Sequence, residues 1–287
     1  GAWMRLGSAR EMHWTVHGLE LAGRAWGDPE GTPVLCLHGW LDNAASFAVL
    51  GPLLTGCYVV APDLTGHGQS QCRSLDATYQ IWDDLPEVLG IIETLGWTRF
   101  AMVGHSRGAI ISSLFAASFP ERVTGLIMLD AVGPEPVPAS SFPRQMRRFL
   151  EDKGRLLARY DRIFPTVDDA IAARRERGLP AEAARLLVQR NLKPCEGGYT
   201  WTTDHRLHGA SAVKLGEEQV AAVLETLSMP TLLLLARGGL GGRHKELEAL
   251  ARRLIPDLTV TYVDGSHHFH MEAVVESQFG RIMEFIA

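Results

Sequence analysis

The stretch from Ala101 to Ile110, AMVGHSRGAI, constrains the fold more than any other part of the chain. Phe100 to Val103 is a short apolar run ending in Gly104-His105-Ser106-Arg107-Gly108, a match to G-x-S-x-G. Ala109 to Phe119 reads as a helix behind it. A serine on so tight a strand-to-helix turn is forced into a strained backbone conformation that pushes its hydroxyl outward. Both glycines are needed because a Cβ at either position would collide with the neighbouring strand or helix. The helix aims its first N–H groups back at the turn, where they stabilise a developing anion. Ser106 is therefore a candidate nucleophile. The competing reading is a glycine-rich turn that happens to contain serine, and the flanking strand and helix weigh against it.

The rest of the chain alternates in step with this unit. Met12 to Trp26 alternates in polarity around Gly18 and predicts an antiparallel hairpin. TPVLCL (Thr32 to Leu37), GCYVVA (Gly56 to Ala61), Val123 to Leu129, PTLLLL (Pro230 to Leu235) and Leu258 to Val263 are apolar runs of buried-strand length. Helical spacing is expected over Ala44–Leu54, Tyr79–Leu95, Lys245–Leu254 and Glu272–Phe285. Strands separated by helices specify a mostly parallel sheet with right-handed crossovers and helices on both faces. Binding sites in such sheets lie at the carboxyl ends of the strands.

Gly133 to Gly209 interrupts this alternation. The segment opens with Pro134, Pro136, Pro138 and Pro143 and continues as short helices with no strand-like run. From Arg144 to Lys193 it holds 13 Lys and Arg against 7 Asp and Glu, in a chain whose net charge is −5. A solvated face of amphipathic helices explains that excess, and attraction of an anionic substrate tail is the sharper alternative. The acidic whole excludes a global field for nucleic acid or an anionic membrane. Cys36, Cys57, Cys72 and Cys195 show neither a C-x-x-C pair nor metal spacing. Met4 reads as a natural start, no signal-peptide core precedes the hairpin, and no apolar run reaches membrane-spanning length. A cytoplasmic protein, monomer or homodimer, is expected.

A serine alcohol needs a base to take its proton, and the base needs a third group to hold it. The loop after the last strand returns beside the nucleophile turn, and there the chain reads Asp264-Gly265-Ser266-His267-His268-Phe269-His270-Met271-Glu272. His267, directly after Gly265-Ser266, is the expected base, with His268 and His270 as scaffold. A metal cluster built on these histidines lacks a matching carboxylate or cysteine set in the sequence.

These pieces together resemble the α/β-hydrolase superfamily, and among its members the serine hydrolase-like proteins. The matching stretches are HGW at 38–40, PDLTGHGQS at 62–70, GHSRGA at 104–109, LDAVGP at 129–134 and GSHHFHME at 265–272. The resemblance implies an eight-stranded, mostly parallel sheet flanked by helices. It also implies a core of residues 1–133 and 210–287 and a helical cap over 134–209. It gives Ser106 as nucleophile, His267 as base, and an oxyanion hole from the backbone N–H groups of Trp40 and Arg107. His38 and Asp63 become loop-organising residues. One departure stands out: where most of the superfamily carries an Asp after PTLLLL, this chain reads Ala236 to Gly242 with no carboxylate. Some similar members place the acid after the strand that follows the nucleophile helix. Asp130 stands there, and Asp204 is a weaker candidate; the plain alternative for Asp130 is a strand-end brace.

The expected function is therefore a Ser-His-Asp hydrolase acting through an acyl-enzyme on a small ester or thioester, with no cofactor and no metal. Trp40, Phe47, Trp82 and Trp201 could line an apolar pocket, or be ordinary core. A carbon–carbon bond hydrolase, a cofactor-free peroxidase on the same triad, and a non-catalytic binding protein are the alternatives.

Overall fold

The computed structural model describes residues 8–158, 161–240 and 245–286. Met4 lies outside the described residues, as do Gly241 and Gly242 of the loop that lacks an acid. The expected hairpin forms from β1 (Arg10–Val16) and β2 (Leu19–Trp26). His17 and Gly18, both at positive φ, make its two-residue turn, as the twist of a tight hairpin requires. Next come β3 (Thr32–Leu37), a 3-10 turn over Ala44–Phe47, the short helix α1 (Leu50–Leu53) and β4 (Cys57–Pro62). Helix α2 (Leu85–Leu95) follows, then β5 (Phe100–His105), α3 (Arg107–Ser118) and β6 (Val123–Leu129). After the inserted segment the chain resumes with α7 (Glu217–Thr226), β10 (Thr231–Gly238), α8 (Lys245–Leu254), β11 (Leu258–Ser266) and α9 (Phe279–Ile286).

Eight strands join in the order β1-β2-β4-β3-β5-β6-β10-β11, parallel from β4 onward and antiparallel only at the β1-β2 and β2-β4 pairs. Side chains of the central strands alternate between two cores. Leu35, Leu37, Met102, Met128 and Leu233 pack on one face, and Val34, Cys36, Val103, Ile127 and Leu234 on the other. That division is the two-residue strand period with both faces dry, and it explains why these strands read as continuous apolar runs.

Three expected helices are broken or shortened. Ala44–Leu54 divides into a 3-10 turn and α1. Tyr79–Leu95 starts as a 3-10 turn at Ile81–Asp84, and Pro86 in the first turn of α2 sets the true start. Glu272–Phe285 becomes a 3-10 turn over Ala273–Ser277 followed by α9.

The insert corrects the expectation of a purely helical cap. Besides α4 (Phe142–Leu157), α5 (Val167–Glu176) and α6 (Ala181–Arg190), it contains β7 (Ile163–Phe164), β8 (Leu192–Cys195) and β9 (Gly198–Trp201). These form a second, antiparallel sheet in the order β7-β9-β8. Strands of two to four residues are too short to show alternation, and Pro194 hid β8; a proline is tolerated there because β8 is an edge. The insert is tied to the core by buried polar bonds. The Arg190 guanidinium, 1% exposed, reaches both oxygens of Asp63 and both of Glu11. Asn191 accepts from the Gly68 N–H and donates to the Leu41 carbonyl. No described helix is long and apolar enough to cross a membrane.

Candidate active site

Ser106 is the single residue between β5 and α3, held at φ 55° and ψ −121°. No room exists for a gentler turn. A Cβ on Gly104 would lie 2.5 Å from Ala109 Cα, and one on Gly108 would lie 2.1 Å from the Leu37 carbonyl oxygen. The helix thus packs against β3 and β5 at backbone distance, and the serine takes the strain. Its N–H donates to the Leu129 carbonyl (3.1 Å), joining the turn to the end of β6.

Asp130 follows that strand end directly, itself at φ 51° and fully buried. Its N–H donates to the Leu234 carbonyl (2.7 Å). Oδ1 accepts from the Ala236 N–H (2.9 Å), and Oδ2 accepts from the Leu240 N–H (2.8 Å). Oδ2 also meets Nδ1 of His267 at 2.6 Å. A carboxylate that only accepts fixes the imidazole proton on Nδ1 and leaves Nε2 free to accept. Nε2 stands 3.0 Å from Ser106 Oγ. His267 therefore bridges Ser106 and Asp130. The acid-free loop after β10 is what makes room: a Cβ on Gly239 would fall 2.3 Å from Asp130 Oδ2.

The other two histidines of the last loop do brace the site, and a third joins them. His268 Nε2 meets Asp42 Oδ2 at 2.8 Å, and His270 Nε2 meets Ser46 Oγ at 2.6 Å. Fully buried His105 donates from Nε2 to the His267 carbonyl (2.7 Å) and lies 4.0 Å, centroid to centroid, from His270. Burial holds His105 and His270 well below the ordinary imidazole range, and the neighbouring histidines push the same way. Burial would raise the Asp42 carboxyl, but the charge and hydrogen bond of His268, with His105 and Arg174, hold it far below the usual range. This brace around Asp42 escaped the sequence reading. The signal available was an acid two residues beyond His38-Gly39-Trp40, inside a motif already singled out.

Asp42, His105 and His268 offer three ligand atoms within 4.8 Å of one another, so they are the described residues that could hold a metal ion. Two features oppose it. The closed Asp42–His268 contact is shorter than the roughly 3.3 Å edge of a tetrahedral zinc site with 2.0–2.1 Å bonds. Arg174 also sets a guanidinium nitrogen 3.7 Å from Asp42 Oδ1.

The turn carrying Trp40 is organised as expected by His38 and Asp63. His38 Nε2 accepts from the Leu64 N–H (2.9 Å), so its Nδ1 donates to the Gly39 carbonyl (2.7 Å). The Asp42 N–H donates to the same carbonyl (3.1 Å). Two donors on one side fix the Gly39–Trp40 peptide plane, and with it the direction of the Trp40 N–H. Asp63 accepts from the Ala44 N–H (2.7 Å), holding the far end of the same loop. The turn is close to Ser106, since a Cβ on Gly39 would be 3.2 Å from Ser106 Cβ. Arg107 opens α3, where helical N–H groups have no intrahelical acceptor.

Ser106, His267 and Trp40 open onto a cavity of about 470 Å³, walled on the far side by the insert. Trp201 lines it, as expected. Phe47 does not: it is fully buried in the core beneath, with its ring 5.7 Å from His270, because the 3-10 turn points it inward. Trp82 does not either; it borders a separate groove with Leu85, Leu89 and Phe119 at the α2 end of the molecule. Asp204 serves as a brace, accepting from Tyr79 Oη (2.8 Å) and from Arg206, and does not meet His267.

Comparison with known proteins gives one answer at several levels. The sequence profile of the alpha/beta hydrolase fold matches residues 32–274. A serine hydrolase-like protein of Danio rerio is 31% identical over 276 residues, spanning 92% of this chain and 84% of its own length. A solved hypothetical protein of Pseudomonas aeruginosa is 36% identical with a TM-score of 0.87, covering 96% of this chain and 97% of that one. A solved thioesterase domain from a curacin biosynthetic pathway is 26% identical with a TM-score of 0.83, covering 96% and 99%.

Proposed function

Because the chain belongs to the α/β-hydrolase family and is a hydrolase, we propose that it cleaves carboxylic esters or thioesters through an acyl-enzyme on Ser106. One observation carries this reading: the His267 ring spans Asp130 Oδ2 at 2.6 Å and Ser106 Oγ at 3.0 Å. In the first step Nε2 takes the serine proton as Oγ attacks the acyl carbonyl. Asp130 keeps the imidazole in the required tautomer and stabilises the imidazolium that forms. The Trp40 and Arg107 N–H groups hold the oxyanion. The imidazolium then protonates the leaving alcohol or thiol. Water, activated by the same Nε2, attacks the acyl-serine and releases the acid.

The thioester arm of the proposal draws on the likeness to the thioesterase domain; the ester arm on the accessible serine and the compact cavity. An unbroken Asp–His–Ser relay gives no support to a purely binding role. The four thiols, all free, suit a reducing, cytoplasmic setting. The test is turnover of a panel of short-chain p-nitrophenyl esters and acyl thioesters by the wild type and Ser106→Ala. Turnover abolished by Ser106→Ala supports the proposal, and turnover indifferent to that change refutes it.

A further inference from the structure

Resting on the hydrolase reading above, we infer that the substrate carries a second, anionic group, held by Arg162, Arg174 and Arg177 in the insert wall of the cavity. The sequence shows only that the insert is basic. The structure sorts its cations by what each one faces. Arg147, Arg155 and Arg185, on the outside of α4 and α6, are answered by acids three or four residues away: Glu151, Asp152 and Glu182. Arg190 is consumed by Asp63 and Glu11 in the joint with the core. The three arginines on the wall facing Ser106 are different.

Arg162 and Arg177 have no carboxylate within ion-pair distance among the described residues. Arg162 lies just before β7, its guanidinium 4.6 Å from the centre of the Phe164 ring, which limits where it can swing. Arg177 closes the C-terminal end of α5. A cation there also complements the helix dipole, but that account does not reach Arg162, which ends no helix. Arg174 donates to the Leu41 carbonyl and stands 3.7 Å from Asp42 Oδ1. Asp42 is the one carboxylate among the cavity-lining residues, and its other oxygen is taken by His268. Asp161, which precedes Arg162 in the chain, is bound to His205 at the rim. Three guanidinium groups thus share a wall with one already occupied carboxylate. Arg162 and Arg177 are exposed at the mouth of the cavity, so a neutral acyl chain leaves them to water and gains nothing from them, whereas an anion gains from both. An oxyanion that presents two oxygens matches the guanidinium fork and answers them. A carboxylate and a phosphate share this chemistry; the experiment separates them.

The test compares the p-nitrophenyl monoester of succinic acid with p-nitrophenyl butyrate, an uncharged ester of the same length. The wild type should favour the charged ester in kcat/KM, and Arg162→Gln,Arg177→Gln should lower the charged-to-neutral ratio by roughly tenfold or more. Arg147→Gln, on the outer face, should leave the ratio unchanged. Calorimetric titration with succinate and with inorganic phosphate reads the anion site without turnover, and whichever anion binds in an Arg162- and Arg177-dependent way names the group. If no ester is cleaved yet one anion binds in that manner, the anion site stands and the ester-hydrolase reading falls. If the neutral ester is cleaved as well as the charged one, or neither anion binds, the inference is overturned.

Discussion

Gly239→Ala should cripple catalysis without touching any reacting atom. The added Cβ would lie 2.3 Å from Asp130 Oδ2 and 3.0 Å from both Asp130 Cγ and His267 Cα. The first of these is at least roughly 1 Å inside ordinary contact, and neither neighbour can yield freely. Asp130 is fully buried, and its carboxylate holds three hydrogen bonds of 2.6 to 2.9 Å. Moving that carboxylate by about 1 Å cannot keep all three at hydrogen-bond length. Each charge-assisted bond is worth about 1.5–3 kcal/mol, and a misplacement of this size around a reacting centre costs on the order of a hundredfold in rate. Asp130→Asn removes the tautomer control outright and should cost on the order of ten-thousandfold, the scale of loss when a triad histidine is held in the wrong tautomer. The assay is pre-steady-state acylation with a p-nitrophenyl ester for wild type, both single variants and the double variant, with circular dichroism to confirm folding. Because Gly239→Ala displaces the same Asp130–His267 pair that Asp130→Asn disables, the double variant should lose far less than the product of the two single losses. Full activity in Gly239→Ala, or losses that simply multiply, would refute this reasoning.

Other outcomes follow from the same contacts. His38, His67, His105 and His270 are fully or almost fully buried, and burial lowers the affinity of each for a proton. The unfolded chain takes up protons that the native state refuses, so stability is intact above about pH 6.5 and falls as pH drops below it. Each histidine contributes up to about 1.4 kcal/mol per pH unit; urea unfolding at pH 7.5, 6.5 and 5.5 should show this fall, and a flat profile would contradict it. Arg190→Ala strands the Asp63 carboxylate in the joint between insert and core and should cost about 3–5 kcal/mol in urea unfolding, whereas a loss under about 1 kcal/mol would mean water replaces the guanidinium.

The parts of this molecule that sequence reveals are those fixed by local rules. The central strands are dry on both faces, so Thr32–Leu37 and Val123–Leu129 announce themselves as apolar runs. The strand–turn–helix around Ser106 is equally legible, because two glycines flanking a serine at such a junction leave the chain few other conformations. His267 could be chosen among three neighbours for its place after the strand. What stayed hidden depends on contacts between distant segments. Asp42 meets His268 across 226 positions, and the small sheet of the insert is too short to carry a pattern. Phe47 and Trp82 show the limit most clearly: composition marks an aromatic as able to line a pocket, but only the direction of its turn decides whether it does. The missing acid after β10 was visible as an absence, and its reason, a glycine whose open side is filled by the carboxylate of Asp130, was not.

If Ser106 is an activated nucleophile, covalent labelling will reveal it without any knowledge of the substrate. The protein would be treated with a fluorophosphonate at neutral pH, digested, and mapped by mass spectrometry. A single adduct on Ser106, absent from Ser106→Ala and formed far more slowly in Asp130→Asn, is the predicted result. A folded protein that takes up no label, or takes it on another serine, would mean that Ser106 is not an activated nucleophile.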